Sequence, residues 1–303
     1  MSQPAYAVID LGTNTFHLLI AQVQESGFKT LYRERLFVKL GAEGVETLGQ
    51  ASFERGVSAM QHFSTIIQQF QVEAVRAIGT AALRAASNGS AFLDRVKAAA
   101  DIEVQIISGE EEARLIHQGV GLAIPIHPNE RVLIMDIGGG SVEFIIADQA
   151  QVSWAESFPV GVAVLFKQFH QRDPIAQNEI QALQNYLRTQ FHSLDTALAR
   201  FPVDKMIGAS GTFDVLEDNF PKIEAQSTFS TIALTNYAAF QSKVVQSTQA
   251  ERLQMPKIPQ ERADLIVVAL LLLEVVLEKL KIEQLSVSHF AMKEGILREM
   301  MAK

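Results

Sequence analysis

Two hydrophobic periods alternate along the chain. Short apolar runs over 5–10 (AYAVID) and 16–23 (FHLLIAQV) flank a polar turn, LGTNT, so two strands are predicted there, with a third over 28–40. Between 52 and 70 the spacing changes. Phe53, Val57, Met60, Phe63, Ile67 and Phe70 recur at three- and four-residue intervals, the stripe of an amphipathic helix, with Ser52 placed to cap it. A strand over 74–80 and a short helix near 91–100 follow. Next come a strand over 102–107, in which Ile102, Val104 and Ile106 alternate, and a helix from about Gly109. The stretch GVGLAIPIHPNE (119–130) carries two prolines and reads as a connection. Beyond it the chain starts again with strand patterns at 131–136, 142–147 and 151–158. Helices over about 160–171, 175–199, 235–250 and 260–280 follow, with short strands at 203–208 and 284–288 among them. Strand–helix alternation of this kind predicts the α/β class.

The second half opens as the first does. With VIDLGTNTFHLLI (8–20) placed over IMDIGGGSVEFII (134–146), Asp10 falls on Asp136, Gly12 on Gly138, Thr15 on Ser141 and His17 on Glu143. An isolated Asp-x-Gly is usually an ordinary turn. Two copies at the same place in two strand pairs point instead to an internal duplication. The expected organisation is one lobe over 1–122, joined by a C-terminal helix at 291–303, and a second lobe over 123–303.

Composition narrows the function. With 303 residues the chain has room for two ordinary domains, and with no cysteine it has neither a disulfide framework nor a thiolate metal site. The seven histidines show no metal-ligand spacing. A net charge of −8 makes a poor general binder of nucleic acid, so no DNA partner is expected, and an anionic substrate would need local amide-rich or cationic sites. The longest apolar run, LIVVALLLL (265–273), falls far short of the roughly 20 residues that span a bilayer, so no membrane role is expected. MSQPAYAVID lacks the marks of a signal peptide, which predicts a cytoplasmic protein. The predicted helix over 260–280 is apolar on enough faces to suggest a homodimer contact.

The glycine turns carry the chemistry. A turn without Cβ atoms exposes successive amide N–H groups as a concave nest for an anion. Gly138, Gly139, Gly140 and Ser141 form one candidate nest, and Gly12, Thr13, Asn14 and Thr15 the other, with the hydroxyls of Ser141, Thr13 and Thr15 as further donors. Carboxylates beside such turns repel phosphate unless a cation intervenes. Asp10, Asp136 and Glu143 are therefore candidate ligands for a hydrated Mg²⁺. A third Gly-rich turn, MIGASGTFD (206–214), runs from a strand into a helix. Gly208, Ser210, Gly211 and Thr212 there fit a phosphate or nucleotide at a helix N-terminus, and fit a helix cap equally well. In ISGEEEARLIHQG (107–119), Ser108 and Glu111 make a capping box. Glu112 is not needed for capping, and it ranks above Glu111 and Glu110 as a general base for an attacking water. In IGTAALRAASN (78–88), with Thr80 and Asn88, Arg84 suits a bidentate phosphate contact; Lys293 and Arg298 are weaker cationic candidates. His17 reads as polar lining of the first turn or as a satisfied, partly buried histidine.

Taken together, VIDLGTNTFHLLI, IGTAALRAASN, ISGEEEARLIHQG, MDIGGGSVEF, IGASGT, RADLI (262–266) and MKEGIL (292–297) resemble the exopolyphosphatase / guanosine pentaphosphate phosphatase family of the actin-like ATPase superfamily, in order and over nearly the whole chain. The resemblance implies two duplicated ribonuclease-H-like lobes with the active site in the cleft between them. It implies hydrolysis of a phosphoanhydride, releasing the terminal phosphate of polyphosphate or the 5′ phosphate of guanosine pentaphosphate. Mg²⁺ would be required, with a monovalent cation as a further possibility. The catalytic glutamate maps to Glu112, the carboxylate behind the glycine turn to Glu143 and the metal-associated aspartate to Asp136. The phosphate turns map to Gly12–Thr15 and Gly138–Ser141. Thr13 and Thr15 stand where serines are usual, Val142 where threonine is frequent, and Lys293 where arginine is common. The sequence also ends before the C-terminal helical region of long members, so a short form is expected. An ATP-dependent small-molecule kinase on the same scaffold and a non-catalytic sensor of guanosine tetra- or pentaphosphate are the alternative readings.

Overall fold

A computed structural model describes residues 3–25, 27–44 and 46–302. The chain divides into two compact units, Met1–Gly119 with Met292–Lys303, and Val120–Ala291.

The first unit is built on strands β1 (Ala5–Leu11), β2 (Phe16–Gln24), β3 (Gly27–Leu36), β4 (Ala74–Gly79) and β5 (Val104–Ile106), in the sheet order β3-β2-β1-β4-β5. The first three strands are antiparallel meander neighbours, whereas β4 and β5 run parallel to β1. Helices α1 (Gln50–Gln69), α2 (Ala81–Ala85), α3 (Gly89–Ala100) and α4 (Gly109–Ala123) supply the connections and the start of the second half, and a C-terminal helix (Met292–Met301) packs on β1 and β2. The stripe expected on α1 is buried at Val57, Met60, Phe63 and Ile67.

Several local expectations are corrected. Ser52 does not cap α1. The N-cap is Gly49, and Ser52 lies inside the helix, fully buried, its hydroxyl donating to the Lys39 carbonyl at 3.1 Å. The third strand stops at Leu36 rather than at 40, because Lys39 takes a left-handed φ of 49° that no strand can continue through. Helix α4 runs on to Ala123, into the stretch read as a connection; its apolar Val120 and Ala123 are buried, and the helix ends as Pro125 comes within reach. The five-residue α2 falls below the length at which apolar periodicity is legible.

The second unit repeats the plan. Strands β6 (Val132–Ile137), β7 (Val142–Ala147), β8 (Val152–Phe158) and β9 (Lys205–Ala209) are followed by the hairpin β10 (Lys222–Ala225) and β11 (Phe229–Ala233), then β12 (Gln284–Ser288). Its sheet order is β10-β11-β12-β9-β6-β7-β8. From β8 inward, the sequence β8-β7-β6-β9-β12 has the same order and the same antiparallel and parallel pairings as β3-β2-β1-β4-β5. The duplication expected from the two Asp-x-Gly turns is thus present as topology, with the β10–β11 hairpin added at one edge.

Around this sheet lie α5 (Val162–Phe169), α6 (Gln177–Gln190), α7 (His192–Arg200), α8 (Gly211–Asn219), α9 (Tyr237–Val245), α10 (Gln249–Arg252), a 3₁₀ turn at Gln260–Arg262 and α11 (Ile266–Leu280). The stretch 175–199 is two helices, broken at the fully buried Phe191. The stretch 235–250 also divides, because Thr248 and Glu251 form a capping box that starts α10. The β10–β11 hairpin escapes a hydrophobicity reading because every residue of β10 is exposed. In α11, Ile266–Leu273, Val275 and Val276 are buried inside the unit, so the apolar faces that suggested a dimer contact are covered by its own core. Among the described residues no helix is long and apolar enough to cross a membrane.

One buried titratable group in this unit has a measurable consequence. His170 closes α5 with its side chain almost wholly buried, edge-on to Phe166 and 3.9 Å from the Asp173 carboxylate. Burial first, and then the Arg252 guanidinium, push its pKa below the ordinary value; Asp173, Glu179 and Asp264 oppose this more weakly. A histidine depressed in the folded state favours folding fully above its unfolded pKa of about 6.5, and that contribution is lost as pH falls through the lower folded value. Between about pH 7.5 and 5 the Tm of wild type is expected to fall further than that of His170→Gln, which has no imidazole to protonate. Parallel curves for the two proteins would remove His170 from the account.

Candidate active site

In the first unit the chemistry gathers at the carboxyl ends of three parallel-aligned strands, where open α/β sheets bind ligands. β1 leads into Gly12–Thr15, β4 into α2 with Arg84, and β5 into α4 with Glu112. Backbone bonds tie the three exits together: Thr80 N–H donates to Leu11 C=O at 3.4 Å, and Ile107 N–H to Gly79 C=O at 3.2 Å. Gly12 N–H closes the first turn on Thr15 C=O at 3.0 Å. A Cβ at Gly12 would stand 2.9 Å from that same oxygen, so only glycine fits without a shift. Thr13 is buried with its hydroxyl lacking a hydrogen-bond partner, an unsatisfied donor within the proposed nest. Asp10 and His17 face each other across β1 and β2, and the His17 Nε2 lies 3.1 Å from the Thr15 hydroxyl.

The glutamates of α4 separate by role. Glu111 forms a two-point ion pair with Arg114 at 2.7 Å on each oxygen. Arg114 also donates to Glu299, which in turn takes Arg76. The Arg114 guanidinium holds the Glu111 carboxyl below the usual range. Ser108 caps the helix by accepting the Glu111 N–H at 3.1 Å, while the Glu111 side chain turns to Arg114 instead of completing the box. Glu112 is 7% exposed, and its Oε2 accepts from Arg84 Nη1 at 3.1 Å. The same Nη1 is 2.9 Å from Ile107 C=O, so Arg84 anchors and orients the Glu112 carboxylate as well as offering a cation. Lys293 and Arg33 both pair with the fully buried Glu294. Asn88 clamps the Leu48 backbone through both ends of its amide.

The second unit repeats the first turn and changes its chemistry. Gly138 N–H donates to Ser141 C=O at 3.0 Å, and a Cβ at Gly138 would again meet that oxygen at 2.9 Å. The alignment of Asp10 with Asp136 and His17 with Glu143 is realised as register: Asp10 pairs with His17, and Asp136 with Glu143. Directly paired residues share a sheet face. Two carboxylates, 9% and 2% exposed, therefore lie on one face, and Ser157 on β8 donates to Glu143 Oε1 at 2.7 Å. Such a hard, all-oxygen pair suits Mg²⁺, which takes one or two carboxylates and completes its shell with water and phosphate oxygens. No cluster of three His, Asp or Glu fit to hold a metal is found among the described residues.

The third turn follows β9. Ser210 sits at φ 71°, ψ 176°, a region that few residues other than glycine adopt, and its hydroxyl donates to Ile137 C=O at 3.0 Å rather than capping α8. That bond fastens the third turn to the strand end from which Gly138 departs. Gly211 lies under the Arg262 guanidinium, whose nearest nitrogen would be 1.5 Å from a Cβ there, and Thr212 is buried. Gly208 makes room for the Phe213 ring, a packing role.

Ser157 went unnoticed in the sequence, because a serine on an edge strand carries no signal, and Ser210 was singled out there without its strained backbone. Arg262 entered only as part of RADLI.

Comparison with known proteins finds matches over nearly the whole chain. The family model described as the Ppx/GppA phosphatase family matches residues 19–303. A curated guanosine-5′-triphosphate,3′-diphosphate pyrophosphatase from Photobacterium profundum is 31% identical over 302 residues, 99% of this chain. The chain spans 60% of that relative's length. Among solved structures, an exopolyphosphatase from Cytophaga hutchinsonii superposes with a TM-score of 0.92 at 34% identity, covering 98% of each chain. A Ppx/GppA family member from Aquifex aeolicus does so with a TM-score of 0.80 at 25% identity, covering 99% of this chain and 98% of its own.

Proposed function

Because the chain belongs to the Ppx/GppA phosphatase family, we propose that it hydrolyses phosphoanhydrides, releasing terminal orthophosphate from polyphosphate, the 5′ phosphate of guanosine pentaphosphate, or both. The observation that carries the reading is the repeated turn. Each sheet ends its first strand in a glycine hairpin of the same geometry, and the second hairpin has a buried carboxylate pair directly behind it. The amides of 139–141 and 13–15, left over once Gly138 and Gly12 close the turns, bind phosphate oxygens. Glu112, held by Arg84, orients or deprotonates the water that attacks in line. Asp136 and Glu143 would hold Mg²⁺, and the ion would supply neutralisation of charge on the phosphoryl oxygens.

The test is a side-by-side measurement of orthophosphate release from short polyphosphate, long polyphosphate and guanosine pentaphosphate with Mg²⁺ present. Release from at least one is expected. No release from any, together with transfer from ATP to a sugar or carboxylate acceptor, would establish the kinase reading; tight nucleotide binding without turnover would establish the sensor.

A further inference from the structure

Each glycine turn is gripped from behind by the chain segment that follows the third strand of its unit, and the grip is made of main-chain bonds. In the second unit, Gly161 N–H donates to Gly140 C=O (3.2 Å), Val162 N–H to Gly138 C=O (3.0 Å) and Ala163 N–H to Gly139 C=O (2.9 Å). These donors belong to the start of α5, where N–H groups have no partner within the helix. In the first unit, Lys39 N–H donates to Asn14 C=O (2.8 Å) and Gly41 N–H to Thr13 C=O (3.0 Å). The spacing is the same. Lys39 corresponds to Gly161 and Gly41 to Ala163, and the preceding bonds match as well, Val38 N–H to Leu36 C=O and Val160 N–H to Phe158 C=O. The duplication therefore reaches past the strands into these segments, although one is a loop with a left-handed Lys39 and the other the start of a helix.

We infer that Gly161 and the first turn of α5 are positioning elements that aim the phosphate-binding amides of the second turn. In a trans peptide, C=O and the following N–H point in opposite directions. With the carbonyls of 138, 139 and 140 turned to α5, the N–H groups of Gly139, Gly140 and Ser141 point away from it, and they have no backbone partner among the described residues. The segment thus converts a flexible glycine run into a row of fixed donors. Gly161 is required because a Cβ there would lie 2.4 Å from Gly139 C, Gly139 O and Gly140 N, all main-chain atoms of the turn itself. The inference rests on the phosphatase reading and adds a residue that never touches substrate.

The experiment compares wild type with Gly161→Ala, which pushes the turn off its support, and Val162→Pro, which deletes one bond. Proline suits this first helical position, and the residue before it is already extended at φ −63°, ψ 160°. Val267→Ala, in the α11 core, serves as a destabilised control. Both turn variants are expected to raise KM for polyphosphate at least tenfold, to weaken tripolyphosphate binding by a similar factor, and to change kcat less than threefold. Val267→Ala is expected to lower Tm with KM unchanged. Wild-type KM in both turn variants, or a rise no greater than in Val267→Ala, overturns the positioning role alone. If wild type neither binds tripolyphosphate nor releases phosphate, both the role and the phosphatase reading fall.

Discussion

Glu112→Gln is expected to lower kcat for phosphate release by about 10²–10⁴-fold, the usual worth of a positioned general base, with KM changed less than threefold. The substitution keeps shape and an acceptor oxygen for Arg84 Nη1 but cannot take a proton. Its effect should therefore fall on the chemical step and not on substrate binding. Glu111→Gln is the natural contrast. That carboxylate is tied up in the Arg114–Glu299–Arg76 network, so its loss should leave kcat within about threefold and, as for exposed ion pairs generally, cost about 1 kcal/mol or less of stability. Rates of orthophosphate release and thermal unfolding of the two variants decide the matter. If Glu111→Gln proves the crippled one, the ranking of the two glutamates is wrong. Arg84 makes a related point: as the residue that orients Glu112, its removal should lower kcat even if it also contacts phosphate.

The features legible in the sequence are those that side chains announce. Aligning the two Asp-x-Gly turns anticipated the matched hairpins, and the Asp136–Glu143 and Asp10–His17 pairs then followed as strand register. A glycine forced by a 2.9 Å approach to a carbonyl leaves a mark in composition, because no other residue fits. Other features left none. Ser52 looks like a cap because it opens an apolar stripe, yet a tertiary bond to Lys39 C=O holds it and the helix begins before it. The capping box at Ser108 was half right: the serine caps, but Arg114, three residues after Glu111, outcompetes the backbone for its side chain. The supports behind both turns are invisible for a deeper reason. They consist of peptide N–H and C=O groups, which every residue but proline carries, so Lys39 and Gly161 can occupy equivalent places with nothing in common but their amides.

Glu143→Gln is expected to act in two opposite directions. Phosphate release should fall by at least about 10²-fold, as for loss of a group that stabilises charge in the transition state. Without divalent cation, however, the variant should be more stable than wild type. Asp136 and Glu143 are both more than nine-tenths buried and are paired on one sheet face, and like charges at directly paired positions disfavour each other. Glutamine removes one charge and keeps an oxygen to accept from Ser157, so the repulsion is relieved without leaving that hydroxyl unpaired. In a domain of this size, the relief should raise Tm by about 2–4 °C for each kcal/mol. Mg²⁺ should reverse the order. At a hundredfold excess over its dissociation constant, an ion bound only by the folded state stabilises wild type by about 2.7 kcal/mol, and the variant should lose most of that gain. Thermal unfolding of both proteins in EDTA and in Mg²⁺ tests the claim without any turnover. A variant less stable than wild type in EDTA would mean that other groups already compensate the carboxylate pair, and an equal Mg²⁺ shift in both proteins would place the ion elsewhere. Asp136→Asn should reproduce the pattern, since either carboxylate alone removes the conflict and both together make a cation worth binding.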